Sequence, residues 1–113
     1  MNVGAWIKEF SGAVTVCDTE GKILEMNEKA CQMFKKDGGA GLIGKNLLDC
    51  HPQYAREKIE EMLSSQSVNC YTIEKNGIKK MIYQAPWYEG GRFMGLVELV
   101  MEIPFDLPNY LRK

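Results

Sequence analysis

Residues 13–27 read Ala-Val-Thr-Val-Cys-Asp-Thr-Glu-Gly-Lys-Ile-Leu-Glu-Met-Asn, and the class of the fold turns on this stretch. Ala13 to Cys17 are an apolar run, Asp18-Thr19-Glu20-Gly21 supply turn chemistry, and Lys22 to Met26 resume extended character, which predicts a β-hairpin. Strand alternation sets Ala13, Thr15 and Cys17 on one face and Val14 and Val16 on the other. Neither face is built for water, so both must be covered. The small residues of the first face leave space beside them. Asn27 is a capping residue for the helix that follows, in which Ala30, Cys31, Met33 and Phe34 share a face and Lys35 and Lys36 suit the negative C-terminal end. Asp37-Gly38-Gly39 stops it.

Upstream, Val3, Trp6, Ile7 and Phe10 follow the i, i+3, i+4, i+7 spacing of a short amphipathic helix closed by Ser11-Gly12. Residues 1–12 are therefore read as an N-terminal cap. Its apolar face covers Val14 and Val16 or packs on the same helix of a second subunit, so Val3, Trp6, Ile7, Phe10, Val14 and Val16 are the expected dimer surface. Downstream, residues 40–50 hold Gly41, Gly44 and the anchors Leu42, Ile43, Leu47 and Leu48, which predicts short irregular turns. Pro52 suits the first position of a helix with an apolar stripe of Ala55, Ile59, Met62 and Leu63, ending at Ser64-Ser65. His51 is placed to cap that helix and to bond Asp49. Three extended segments close the pattern, Val68 to Glu74, Ile78 to Trp87 and Arg92 to Ile103, joined by Lys75-Asn76-Gly77 and Glu89-Gly90-Gly91 turns. Two strands, a helical middle and three strands make an α+β domain with a five-stranded antiparallel sheet over residues 11–103. The tail, 104–113, contains Pro104 and Pro108 and cannot extend the sheet.

Composition bounds the function. The chain has 113 residues, 45% of them apolar, enough for one core without disulfide or metal support. Fourteen basic residues against fifteen acidic ones give a net charge of -1, and the basic pairs Lys35-Lys36, Lys79-Lys80 and Arg112-Lys113 are scattered. Direct nucleic-acid binding needs clustered positive charge and is not expected. No apolar run reaches the ~18 residues of a membrane span, and Met1 to Ser11 lack the pattern of a secretory signal. A cytoplasmic, reducing compartment follows as the expectation, with Cys17, Cys31, Cys50 and Cys70 as free thiols. No Cys-x-x-Cys pair is present and His51 is the single histidine, so no metal site is expected.

Several local motifs, taken in order, resemble the PAS domain over roughly residues 11 to 103. Asp18, Gly21, Ile23 and Asn27 are similar to that family's opening D-x-x-G-x-I-x-x-x-N hairpin. Leu42-Ile43-Gly44-Lys45-Asn46 resembles its L-I-G-K-N segment, and Gly90-Gly91 through Gly95 and Val97 its last hairpin. Leu48-Asp49-Cys50-His51-Pro52 is similar to a bacterial sensory subgroup with L-D-C-H-P at this place. The resemblance implies a curved sheet whose concave face and flanking helices enclose a pocket, with the outer face covered by a terminal helix or a dimer partner. It further implies bacterial signal transduction, transcription regulation included, without a catalytic residue.

On that reading the pocket is expected to be lined by Thr15, Cys17, Cys31, Phe34, Leu47, Cys50, His51, Tyr54, Met62, Tyr71, Tyr83 and Val97, with Thr15 and Tyr71 or Tyr83 orienting a ligand. Flavin photoreceptors of the family place a reactive cysteine after the asparagine and a glutamine on the last strand. Here those positions hold Leu47 and Val97, which disfavours flavin photochemistry. Haem would need His51 as a neutral axial ligand facing the cavity. Cys50 beside His51 raises the alternative of an activated thiolate in a small redox protein, although adjacent residues rarely point the same way. Glu57, Glu60 and Glu61 interleave with Arg56 and Lys58 as surface pairs, not an acid/base couple. The expected function is a homodimeric sensor module that binds a small ligand or a partner protein; a ligand-free dimerisation domain is the other alternative. If the chain is complete, as Met1 allows, it acts through a partner; otherwise it is part of a longer sensor.

Overall fold

The deciding hairpin is held by one carboxylate. Asp18 Oδ1 accepts from the backbone N–H groups of Glu20 and Lys22, each at 2.9 Å, and Gly21 takes φ 87° to complete the turn. Strands β1 (Ala13–Cys17) and β2 (Ile23–Met26) pair antiparallel on either side of it. The computed structural model describes residues 4–113.

Asn27 then performs four tasks at once. Its Oδ1 accepts from Ala30 N–H at 3.0 Å, capping helix α1 (Glu28–Met33), and from Val14 N–H at 2.9 Å. Its Nδ2 donates to the carbonyls of Ile7 at 3.0 Å and Gly12 at 2.9 Å. One buried side chain thus ties the N-terminal segment, the first strand and the first helix together. The helix ends at Met33, earlier than the expected Lys36. Lys35–Asp37 form a 3₁₀ turn instead, followed by Gly38 at φ 126°.

The segment from residue 39 to 50 docks on the edge of β2. Gly44 N–H donates to Ile23 O, Ile23 N–H to Lys45 O and Leu47 N–H to Gly21 O, each at 2.8 Å. Asn46 reinforces this, with Nδ2 on Glu20 O at 2.9 Å and Oδ1 accepting from Leu48 N–H at 2.8 Å. Two 3₁₀ turns, Gly39–Leu42 and Leu47–Asp49, occupy the region read as irregular turns. Helix α2 spans Gln53–Ser65 and stops where Gln66 turns left-handed at φ 54°. Pro52 is its N-cap in extended conformation, one position earlier than expected.

Strands β3 (Asn69–Lys75), β4 (Ile78–Glu89) and β5 (Arg92–Ile103) form the closing meander. Asn76 and Gly77, then Gly90 and Gly91, all take positive φ, as two-residue hairpin loops with the right twist require. The sheet order is β2-β1-β5-β4-β3, so the first hairpin and the meander share one five-stranded antiparallel sheet. Ala13, Ala30, Ile82 and Val100 make one core cluster and Cys17, Met62 and Leu96 a second.

The N-terminal amphipathic helix is the element that the structure corrects. Ala5–Ile7 form only a single 3₁₀ turn, and Val3 lies outside the described residues. The carbonyls of Ile7 and Lys8, which a continuing helix would offer to Ser11 and Gly12, are taken by Asn27 Nδ2 and by Glu28 N–H at 3.1 Å. Trp6 and Phe10 meet edge to face at 5.8 Å and remain exposed, while Ile7 and Val16 are half-buried and Val14 is buried.

Candidate functional site

The concave face of the sheet carries three parallel rows of side chains. Register places Ala13, Val100 and Ile82 in one row, and Cys17 with Leu96 in another. Each apolar row belongs to one of the two core clusters. Between them runs a polar row, in which Asn69 (β3), Gln84 (β4), Glu98 (β5) and Thr15 (β1) are successive cross-strand partners, with Met26 (β2) at its end.

That row is internally bonded. Asn69 Nδ2 donates to Gln84 Oε1 at 2.9 Å, and Gln84 Nε2 donates to Glu98 Oε2 at 2.7 Å. A cavity of about 680 Å³ lies over it, roofed by Phe34 and Leu42 on one side and by Leu47, Ala55, Ile59 and Met62 on the other. The volume falls in the usual range of small-molecule sites, which combine apolar walls with a few placed polar groups.

Of the residues expected to line a pocket, Thr15, Cys17, Phe34, Leu47, Cys50, His51, Tyr54, Met62, Tyr71 and Val97 do line this cavity. Cys31 and Tyr83 stand outside it. On β4 it is Gln84 that faces the cavity, so its neighbour Tyr83 points to the opposite face. On α1 the core-facing position belongs to Ala30, and the helical step of ~100° turns Cys31 aside. Tyr54, Cys50 and His51 sit at the mouth and are exposed.

The polar row itself was not anticipated. Its signal was Glu98, a charged residue inside the apolar run Leu96-Val97-Glu98-Leu99-Val100 of a strand that proves central. Asn69 and Gln84 gave no comparable signal, because their role depends on register among three strands.

Electrostatically the floor is negative. Burial pushes the Cys17 thiol up; a backbone hydrogen bond to Leu96 partly opposes this, and Asp18 and Glu98 add to the rise. Burial likewise raises the Tyr71 hydroxyl, with Glu98 contributing. His51 Nδ1 lies 2.7 Å from Leu47 O rather than on the Asp49 carboxylate. Lys58, on the lining, pairs with Glu61 at 3.8 Å on the outer side of α2. Among the described residues no group of three or more His, Cys, Asp or Glu is placed to hold a metal ion, and no helix is long and apolar enough to cross a membrane.

Comparison with known proteins agrees with this geometry. No curated protein matches the chain. A C-terminal domain from Streptococcus mutans superposes with TM-score 0.68 at 19% identity, covering 85% of this chain and 78% of that one. The PAS domain of Bordetella pertussis BvgS gives TM-score 0.63 at 16% identity, over 88% of this chain and 82% of its own. The Vibrio cholerae Aer2 receptor, described as a dual PAS-heme oxygen sensor, gives TM-score 0.58 at 17% identity, over 82% and 95%. At these identities the likeness is one of fold. Residues 11–83 match the sequence family described as PAS domain, and with the sheet order and helical connection seen here, the chain belongs to that family.

Proposed function

We propose that this PAS domain is a sensory module whose concave cavity binds a small molecule and passes the resulting conformational bias to a partner. PAS domains are typical sensory modules of histidine kinases and receptors, and such proteins are among those similar to this chain. The observation that carries the reading is the cavity of about 680 Å³, with apolar walls over a bonded polar row. A core built only for stability gains nothing from three polar side chains set between two apolar clusters, since their desolvation costs more than an apolar row would.

Transmission runs through a second copy of the chain. Trp6, 67% exposed, and Phe10, 38% exposed, stand out with Ile7 beside the outward-facing Val14 and Val16, and support this surface as the dimer contact. The four free thiols suit a cytoplasmic location. Native mass spectrometry with an absorption spectrum tests the whole reading. A mass increment that survives gentle ionisation supports it, and a bare chain that takes up no small molecule from a metabolite mixture refutes it.

Haem capture is a second reading with one observation in its favour. His51 lines the cavity with Nδ1 on the Leu47 carbonyl, the arrangement that fixes a histidine tautomer and leaves Nε2 as an acceptor. Haem would supply gas or redox sensing there, with His51 as its axial ligand. Absence of a Soret band after haem addition removes this reading and leaves the first intact.

A further inference from the structure

The cavity floor carries a carboxylate. Glu98 lies on β5, the middle strand of five, and is half-buried. The amides beside it are oriented by their own bonds: Asn69 donates to Gln84, and Gln84 donates to Glu98. Both donors of the relay point along the row toward the carboxylate. Among the described residues the row leaves Glu98 Oε1 and Asn69 Oδ1 without a donor and the second N–H of each amide unpaired, so Glu98 is its one charged acceptor.

Among the described residues no cation pairs with Glu98. Lys58 is the single lysine or arginine on the lining, and its ammonium sits 3.8 Å from Glu61 with its side chain 47% exposed. Asp37 adds a second carboxylate to the lining. Burial raises the Tyr71 hydroxyl and the Cys17 thiol, and the Glu98 charge adds to the rise at each, on β3 and on β1. A carboxylate taken partly out of water with one amide donor is undersatisfied, and a cation bearing N–H groups is the species that compensates it best.

Resting on the ligand-binding reading above, we propose that the ligand carries a protonated nitrogen, an amine or amidine head, that pairs with Glu98. Its apolar body lies against Ile23, Phe34, Met62 and Leu96. An anionic head meets Glu98 and Asp37 and is rejected. Selectivity is then set by the sheet, while the helices α1 and α2 supply shape.

Three indole probes with the same two-carbon tether and different head groups test this: tryptamine, tryptophol and indole-3-propionate, titrated into ¹⁵N-labelled protein with amide shifts as the readout. Tryptamine is expected to bind about tenfold tighter than tryptophol, the strength of one charge-assisted bond, and indole-3-propionate weakest. In E98Q, which keeps the shape and an acceptor for Gln84, the tryptamine advantage should vanish while tryptophol binding persists. Equal binding of the three, or an advantage that survives E98Q, overturns the charge assignment and leaves the cavity as a ligand site. No shift with any probe overturns both. E98Q with a wild-type amide spectrum confirms that the fold is intact in these comparisons.

Discussion

Asn27→Asp gives the sharpest separation between capping and long-range bonding. Aspartate caps helices as well as asparagine does, so a purely local role for Asn27 predicts almost no change. The structure predicts otherwise. Asn27 Oδ1 serves Val14 and Ala30, and an aspartate retains that half. The other half is lost, because Nδ2 donates to Ile7 O and Gly12 O and a carboxylate oxygen there faces two carbonyls. Two bonds at about 1 kcal/mol each, plus about 1–3 kcal/mol for the buried Gly12 carbonyl left without that donor, give a loss of about 3–5 kcal/mol, while Ile7 O keeps Phe10 N–H at 3.3 Å. Asn27→Ala loses all four bonds and on the same reckoning should cost at least as much. Against the ~5–15 kcal/mol that stabilises a domain, either variant is close to unfolding at ambient temperature. Urea titration followed by tryptophan fluorescence and far-UV dichroism measures it. An Asn27→Asp midpoint within error of wild type would refute the four-way role.

Other consequences are equally direct. Gly95 has φ 141°, and a Cβ there would collide with the backbone of Cys17 and Asp18, whose Cys17 carbonyl also accepts from Trp87 Nε1 at 3.0 Å. Gly95→Ala should therefore cost about 4 kcal/mol or more, seen as a lost cooperative melt. Thiol reagents should modify Cys50 and Cys70 first, Cys31 later, and Cys17, 2% exposed, only on unfolding; mass spectrometry over time reads the order. Because the folded Cys17 thiol is raised, the native state holds its proton longer than the unfolded chain does. Stability is then full below the ordinary thiol range of about 8.5 and falls as pH rises through it, a slope that Cys17→Ala should flatten in urea titrations at pH 7 to 10.

The sheet was legible because its signals are local. Asp18 and Gly21 dictate the first turn, Asn76-Gly77 and Gly90-Gly91 the later ones, and alternation in β1 set Thr15 and Cys17 inward correctly. The N-terminal helix failed for the opposite reason. Its spacing was helical, but its carbonyls are claimed by Asn27 and Glu28, about 20 residues away, and no local pattern reports that. The candidate site divides the same way. Apolar wall residues such as Ile59 and Met62 follow from the helix stripe, whereas Tyr83 and Gln84 differ by one step of alternation in a strand whose phase only its pairing with β5 defines. Glu98 was visible as a residue, yet its meaning came from Gln84 and Asn69 beside it.

Whether the concave cavity is a ligand site is tested most directly by screening a small-fragment mixture against ¹⁵N-labelled protein. Amide shifts should gather at Thr15, Ile23, Met62, Leu96 and Glu98 and move together as a fragment saturates. Shifts confined to the outer face, at Val14, Tyr83 and Leu99, or none at any concentration, would contradict it.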